Sequence, residues 1–276
     1  MLIFEATGTI WKINSEDFNV QKIEKEILEK IFELDLIFSR FNPKSFLFKL
    51  NLNQKAKNPP KIFLENLEFA LQISKITNGE FSVFVGGVLE NFGYGNLKNK
   101  DFYQNFQENY FQQNFQNLIK FDKKEVFLFN SSLDFGSFGK GLIIDEVVKV
   151  LDKFSENFVI NAGGDIFVRS PVLQEIFVEN PMNRSKPWKK IKIANASVCA
   201  SSNFLRTWEK DGKSFSHIIR LNFNPENQKI VGSFAVSKTA KIADLLSTIF
   251  FITGKKYEKI LQEFLKEDFS FGIFRE

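Results

Sequence analysis

Residues 133 to 145, Leu-Asp-Phe-Gly-Ser-Phe-Gly-Lys-Gly-Leu-Ile-Ile-Asp, constrain the chain more than any other stretch. A short apolar run ends at Asp134 and Phe135, a loop with three glycines and one lysine follows, and a helical pattern begins at about Leu142. Strand, glycine loop and helix in that order set unpaired helix-start N–H groups, and the positive end of the helix dipole, beside backbone that can approach a ligand closely. Such a place suits an anion, a phosphate above all, and Lys140 adds a full positive charge. The spacing is not that of a nucleotide-hydrolase P-loop. Only Ser137 and Phe138 separate Gly136 from Gly139, and Gly141 follows the lysine where Ser or Thr is required.

A chain of 276 residues with 43% apolar content can bury a real core. Its longest apolar runs, such as 247–253, fall far short of a membrane span, and no basic-then-apolar signal pattern precedes Ile10 and Trp11. The expected compartment is therefore cytoplasmic. One cysteine, Cys199, excludes an intrachain disulfide and a multi-cysteine metal cluster, and reads as a small buried apolar residue. The formal charge is +4, but lysines and acids are interleaved without a basic block, which argues against nucleic acid as a partner. The 35 phenylalanines read as core in a compositionally biased chain.

Hydrophobic period gives most of the elements. Alternation predicts a strand over Thr9–Ile13. Ile23, Ile27, Ile31, Leu34 and Phe38 recur at three and four, predicting a helix over 20–38. Asp35, Ser39 and Phe41 sit at its end, either facing a site or forming an ordinary turn. A second helix is expected over 62–77, ended by Asn78-Gly79. Residues 79 to 95 hold glycines at 79, 86, 87, 93 and 95 among Phe81, Phe84, Phe92 and Tyr94. This segment is either a ligand-enclosing loop or a set of tight turns with buried rings. Residues 99–117 contain ten Asn or Gln and read as a surface helix. Strands are expected at 126–129, 133–135, 158–162, 165–168, 176–179, 191–193, 197–201, 215–221, 232–236 and 269–274, and helices at 142–154, 240–253 and 257–265. Strands grouped in this way with long helices between them predict an α+β fold, organised as a single domain over residues 1–276.

Two further features carry chemistry. Asp244 and Thr248 lie four apart on a helix, so a carboxylate and a hydroxyl share one face, as a Mg²⁺ that keeps waters and phosphate oxygens would want. Ser247 and Thr248 could equally bond back to their own backbone. His217, the lone histidine, sits between Ser216 and two isoleucines and is either a base or an ordinary strand side chain.

Seven segments then stand in the order of one family. Thr7-Gly8-Thr9-Ile10-Trp11 resembles an opening Gly-Thr-x-Trp strand, and Asp35 to Phe41 through Ser45 and Asn51 resembles D-x-x-x-S…S…N. Residues 78–81 with 92–95 resemble D-G-x-F-D…W-G-F-G. Leu133 to Asp145 resembles L-D-x-G-x-x-x-K-G-x-x-x-D, and Asn161 to Asp165 resembles N-x-G-G-D. Ser214 to Ile219 resembles S-H-I-I, and Ala243-Asp244 to Thr248 resembles A-D-x-x-x-T. Together they resemble the FAD:protein FMN transferases, the ApbE family.

That resemblance implies a T-fold-like architecture of mixed and antiparallel sheets with packed helices. It also implies a Mg²⁺-dependent transferase that splits FAD, places FMN through a phosphoester on a Ser or Thr of a client flavoprotein, and releases AMP. By position, Ser137, Asp244 and Thr248 would surround the metal. Thr7, Phe41, Glu80, Phe81, Ser82, Asp134, Lys140 and Ile219 would meet FAD. His217, Lys140 and Asp244 would be catalytic, the histidine assisting the attacking hydroxyl. Ser82, Phe92 and Arg220-Leu221 depart from the family's pattern, which leaves two rival activities: an FAD pyrophosphatase releasing FMN and AMP, and a flavin-binding protein without catalysis.

Overall fold

In the opening strands, Trp11 and Ile13 are buried while Ile10 and Lys12 face outward, the period-two signature of a sheet with one face packed on a core. A computed structural model describes residues 1–95, 100–111, 115–183, 185–204, 207–210, 212–220 and 225–276. In chain order these form β1 (Leu2–Ala6), β2 (Thr9–Ser15), α1 (Glu24–Phe38), α2 (Phe46–Asn53), β3 (Lys55–Lys57), α3 (Lys61–Ile76), α4 (Gly86–Asn91), α5 (Lys100–Phe111), β4 (Ile119–Phe121) and β5 (Glu125–Leu128). There follow α6 (Gly139–Leu151), β6 (Phe158–Ala162), β7 (Asp165–Arg169), β8 (Gln174–Glu179), β9 (Pro187–Ile193), β10 (Ala196–Ser202), β11 (Thr207–Lys210) and β12 (Lys213–Ser216). The last are α7 (Pro225–Gln228), β13 (Ile230–Ser237), α8 (Ala240–Thr253), α9 (Glu258–Leu265) and β14 (Phe269–Arg275). The architecture is mixed α and β with antiparallel sheets, as expected. No helix among the described residues is long and apolar enough to cross a membrane.

The chain divides into two compact units. Met1–Phe32, Gly136–Leu205 and Phe223–Glu276 make the first, and Glu33–Phe135 with Arg206–Asn222 the second. The first is built on a seven-stranded antiparallel sheet in the order β1-β2-β6-β7-β10-β13-β14. Gly163 and Gly164, at φ 66° and 103°, form the two-residue turn that lets Ala162 pair with Asp165. α8 is buried at nearly every position, which only a helix covered on all sides can sustain. It lies on β10 and β13 and is crossed by α6. The second unit holds α3, the α4–α5 pair, the sheet β3-β5-β4 and the hairpin β11-β12.

Several expectations are corrected. Leu133–Phe135 is not a strand. Asn51 brackets Leu133 instead, its Nδ2 donating to the Leu133 carbonyl at 2.9 Å and its Oδ1 accepting the Leu133 N–H at 2.9 Å, while the Asp134 N–H donates to the Val83 carbonyl at 2.7 Å. A side-chain amide thus supplies what a neighbouring strand would have supplied. The helix expected from Leu142 begins at Gly139, so Lys140 and Gly141 lie in its first turn and not in a loop. The expected 215–221 strand is β12, which ends at Ser216 and leaves His217 in a bend; position 221 lies outside the described residues. Within 79–95, Gly86 and Gly87 belong to α4. A Cβ on Gly86 would stand 2.7 Å from Ser132 Oγ, and one on Gly87 would stand 2.6 Å from the Phe102 Cβ. Those two glycines serve close packing. The expected helix within 99–117 is α5, with 99 and 112–114 outside the described residues.

Candidate functional site

In the first unit, α6 and α8 meet at their starts. A Cβ on Gly141 would lie 2.3 Å from the Ala240 carbonyl oxygen, so only glycine permits this crossing. The contact is fixed by two carboxylates. Asp145 on α6 accepts the N–H groups of Ala240 at 2.7 Å and Lys241 at 3.0 Å, capping α8, whose own N-cap residue Thr239 makes no side-chain cap bond. Burial pushes the Asp145 carboxyl up to about 6, although both N–H groups and Lys241 pull the other way. In return, Asp244 on α8 accepts the Gly141 N–H at 3.0 Å, occupying one of the orphan donors of the α6 start.

Around that junction stand four of the residues singled out from the sequence: Ser137, Lys140, Asp244 and Thr248. Asp244 and Thr248 are buried, at 4% and 7% exposure. The Thr248 hydroxyl donates to the Ser137 carbonyl at 3.4 Å, so it reaches across to the glycine turn. Ser247 takes the other course: its hydroxyl bonds back to the Asp244 carbonyl at 2.8 Å. Lys140 forms an ion pair with Asp165, at the start of β7 and 2% exposed. Burial works against the ammonium charge, but the carboxylates of Asp165 and Asp244 outweigh it and hold the lysine above its usual range. Cys199, fully buried in β10, has its thiol pushed up by burial and by the same two carboxylates, and so stays protonated.

The second unit gathers a different set. Arg40, 4% exposed, forms an ion pair with Asp134, donates Nη1 to Glu90 Oε1 at 2.7 Å and Nη2 to the Tyr94 carbonyl at 2.8 Å. Its guanidinium lies 4.2 Å from the Phe41 ring centroid and 5.1 Å from that of Tyr94. Tyr94 stacks on Trp208 at 5.0 Å and 14°, and the Trp208 indole N–H donates to the Phe92 carbonyl at 2.7 Å. The hairpin β11–β12 thereby closes over the Phe92-Gly93-Tyr94 segment. Glu80, Phe81 and Ser82 are all buried, and the Ser82 hydroxyl accepts the Phe84 N–H at 3.1 Å, starting a short 3₁₀ turn. His217, Ile219 and Arg220 are half-buried beyond β12, and burial pulls the arginine down to about 10. Thr7 lies in the β1–β2 turn of the first unit at φ 52°, its hydroxyl accepting the Trp11 indole N–H at 3.2 Å.

A family model for ApbE matches residues 7–269. The chain belongs to the ApbE family. It is similar to the FAD:protein FMN transferase of Haemophilus influenzae, 24% identical over 254 residues that cover 85% of this chain and 73% of that relative. It is equally similar to the FAD:protein FMN transferase of Buchnera aphidicola, 24% identical over 276 residues covering 93% and 81%. Among solved structures, the ApbE protein of Thermotoga maritima superposes with a TM-score of 0.79 at 21% identity over 100% of this chain and 96% of that one, a likeness of fold.

Sequence reasoning gave no role to three charged side chains of this ApbE chain that the geometry brings forward: Asp165, Arg40 and Glu90. Asp165 closes the Asn-Ala-Gly-Gly-Asp segment, so its place beside a Gly-Gly turn was a signal. Arg40 lies between two residues that were read, Ser39 and Phe41. Glu90 had no local signal. The oxygens of Ser137, Asp244 and Thr248 are all hard donors, and the 3.4 Å between Thr248 Oγ1 and the Ser137 carbonyl is near the ligand-to-ligand edge of about 3 Å that 2.0–2.1 Å bonds in an octahedron require. Among the described residues no group of three or more His, Cys, Asp or Glu could hold a metal, so a cation here would depend on hydroxyl and carbonyl oxygens beside the one Asp244 carboxylate.

Proposed function

We propose that this ApbE chain is a Mg²⁺-dependent FAD:protein FMN transferase. The observation that carries the reading is the junction of α6 and α8. A carboxylate, a hydroxyl and a backbone carbonyl converge beside a helix start and a permanently charged lysine, and this is the equipment a diphosphate needs. The names of the relatives from Haemophilus and Buchnera support it.

In this reading Ser137, Asp244 and Thr248 hold Mg²⁺, which when bound acts as a Lewis acid on the pyrophosphate. Lys140, kept protonated by Asp165 and Asp244, adds positive charge where the leaving phosphate gains negative charge. Phe41, the Glu80 to Ser82 segment, Asp134, Thr7 and Ile219 bind the dinucleotide. The oxygen of a Ser or Thr on the client bonds to the FMN phosphorus, the bond from that phosphorus to the bridging oxygen breaks, and AMP leaves with the electron pair. His217 takes the proton of the attacking hydroxyl.

Incubation of the purified chain with FAD, Mg²⁺ and an FMN-acceptor domain tests the proposal. Covalent flavin on the acceptor, with AMP in equal amount, is the expected result. Free FMN plus AMP would establish hydrolysis in its place, and bound but intact FAD would establish a flavin-binding protein.

A further inference from the structure

Lys140 stands where a helix resists a cation. It lies in the first turn of α6, which holds no acidic residue, and the helix dipole already presents positive charge there. Its side chain is only 25% exposed, so water meets little of that cost. Asp165 supplies the compensation from the sheet of the same unit. Its Oδ2 takes the ammonium, and its Oδ1 accepts the Ala200 N–H at 3.4 Å just beyond the last β7–β10 pair, Val198 with Ile166. The residue is 2% exposed and follows a turn pinned on both sides. The Gly163 N–H donates to the Ile10 carbonyl at 3.1 Å, and the Gly164 N–H to Asn161 Oδ1 at 2.9 Å. Asp165 is thus a rigid mount, whereas a lysine ammonium is a point charge on a flexible stem.

Two carboxylates act on that ammonium. Asp165 holds it by a hydrogen bond, and Asp244 acts on it through charge. We propose that Asp165 is a positioning residue for Lys140: by anchoring the ammonium to β7 it keeps the lysine from collapsing onto Asp244, and so reserves that carboxylate for the divalent cation. The inference rests on the Mg²⁺ reading above and deepens it by naming the cation's competitor inside the protein. An ammonium and a metal ion cannot both neutralise the same carboxylate oxygens, and a buried lysine stripped of one partner turns to the next. Without Asp165 that partner is Asp244, and the site is blocked by its own lysine. With Asp165, the lysine and the cation each have a carboxylate, and positive charge gathers where a diphosphate needs it.

Mn²⁺ is the probe, because its binding to the full chain is read from the loss of the free-ion electron paramagnetic signal, without turnover. In Asp165→Asn the dissociation constant for Mn²⁺ should rise about tenfold, and the Mg²⁺ giving half-maximal transfer should rise by a like factor. Lys140→Met should bind Mn²⁺ at least as tightly as the wild type. Adding Asp165→Asn to Lys140→Met should then change Mn²⁺ affinity by less than about threefold, since the competitor is gone. Asp165→Glu, which keeps the charge, should stay within about threefold of the wild type. Unaltered Mn²⁺ affinity in Asp165→Asn overturns the proposal. So does an equal loss with and without Lys140, which would make Asp165 a distant charge and not an anchor. Should Asp165→Asn fail to fold, the double variant, which buries neither charge, still decides against Lys140→Met: matching affinities support the anchor and a tenfold loss overturns it. A wild-type chain that binds no Mn²⁺ and transfers FMN without a divalent cation overturns the Mg²⁺ reading instead.

Discussion

The Gly141 N–H on α6 donates to the Asp244 carboxylate on α8 at 3.0 Å, so the residue after the lysine and the acidic residue of the second motif share one hydrogen bond. One Asp244 oxygen is therefore already oriented, and the carboxylate stands ready without reorganisation. Asp244→Asn keeps an acceptor for Gly141 but removes the charge. We expect the variant to fold, to bind FAD, and to release AMP at least about a hundredfold more slowly at saturating Mg²⁺, the several kcal/mol expected when a metal ligand is lost. Unchanged turnover would remove Asp244 from the metal.

Gly141→Ala places a methyl group against the Ala240 carbonyl. Backbone cannot yield there as a flexible side chain would, so the variant should lose roughly 1–3 kcal/mol of stability, the usual cost of overpacking. Chemical denaturation measures this. A neutral or stabilising result, as expected for a Gly→Ala change in an open helix, would show that the helices separate freely.

Asp145 gives a pH signature. Its folded-state value of about 6 exceeds the ordinary 3.8 because it is buried, so the folded chain binds the proton more tightly than the unfolded one. The wild-type advantage over Asp145→Ala should therefore grow as pH falls through 6, by at most about 1.4 kcal/mol per unit, and level off below 3.8. The cap itself is worth about 1–2 kcal/mol. Paired denaturation curves at pH 7 and 5 check the sign.

Arg40→Ala removes the guanidinium that the Glu90 and Asp134 carboxylates share. Breaking a buried pair in this way costs about 3–5 kcal/mol, and Arg40→Lys should rescue little, because one ammonium cannot span Asp134, Glu90 and the Tyr94 carbonyl in a fixed fork. Thermal unfolding of the two variants side by side is the measurement.

His217→Ala should slow transfer while FAD binding stays as in wild type, since a general base contributes to the step and not to affinity for the dinucleotide. Equal transfer rates would return His217 to a structural role.

The parts of the fold that local pattern controls were readable. α8 spans Ala240–Thr253 as its period and the following Gly254 required, and the Gly163-Gly164 turn lies between the two strands expected on either side. The α6–α8 meeting was expected from motif chemistry, but its mechanism was not. The reciprocal bonds of Asp145 and Asp244 join residues 95 and 103 positions apart, and no window of sequence contains both. The same holds for Asn51 at Leu133 and for Arg40 at Asp134, where a side chain replaces a strand or a charge finds its partner only after the chain has folded back. β12 was read within the expected 215–221 strand, but its partner β11 escaped notice because its role lies in Trp208 meeting Tyr94, a tertiary event.

The order of the large sheet has a consequence for synthesis on the ribosome. β2 pairs with β6, so Ser15 must wait for Phe158. Until then the N-terminal β1–β2 hairpin is an isolated two-stranded ribbon of marginal stability, and the polypeptide of the second unit emerges in the meantime. A nascent chain arrested before Ala162 would therefore carry residues 2–15 without their β6 partner, with the apolar face of Trp11 and Ile13 exposed to whatever chaperone reaches it first.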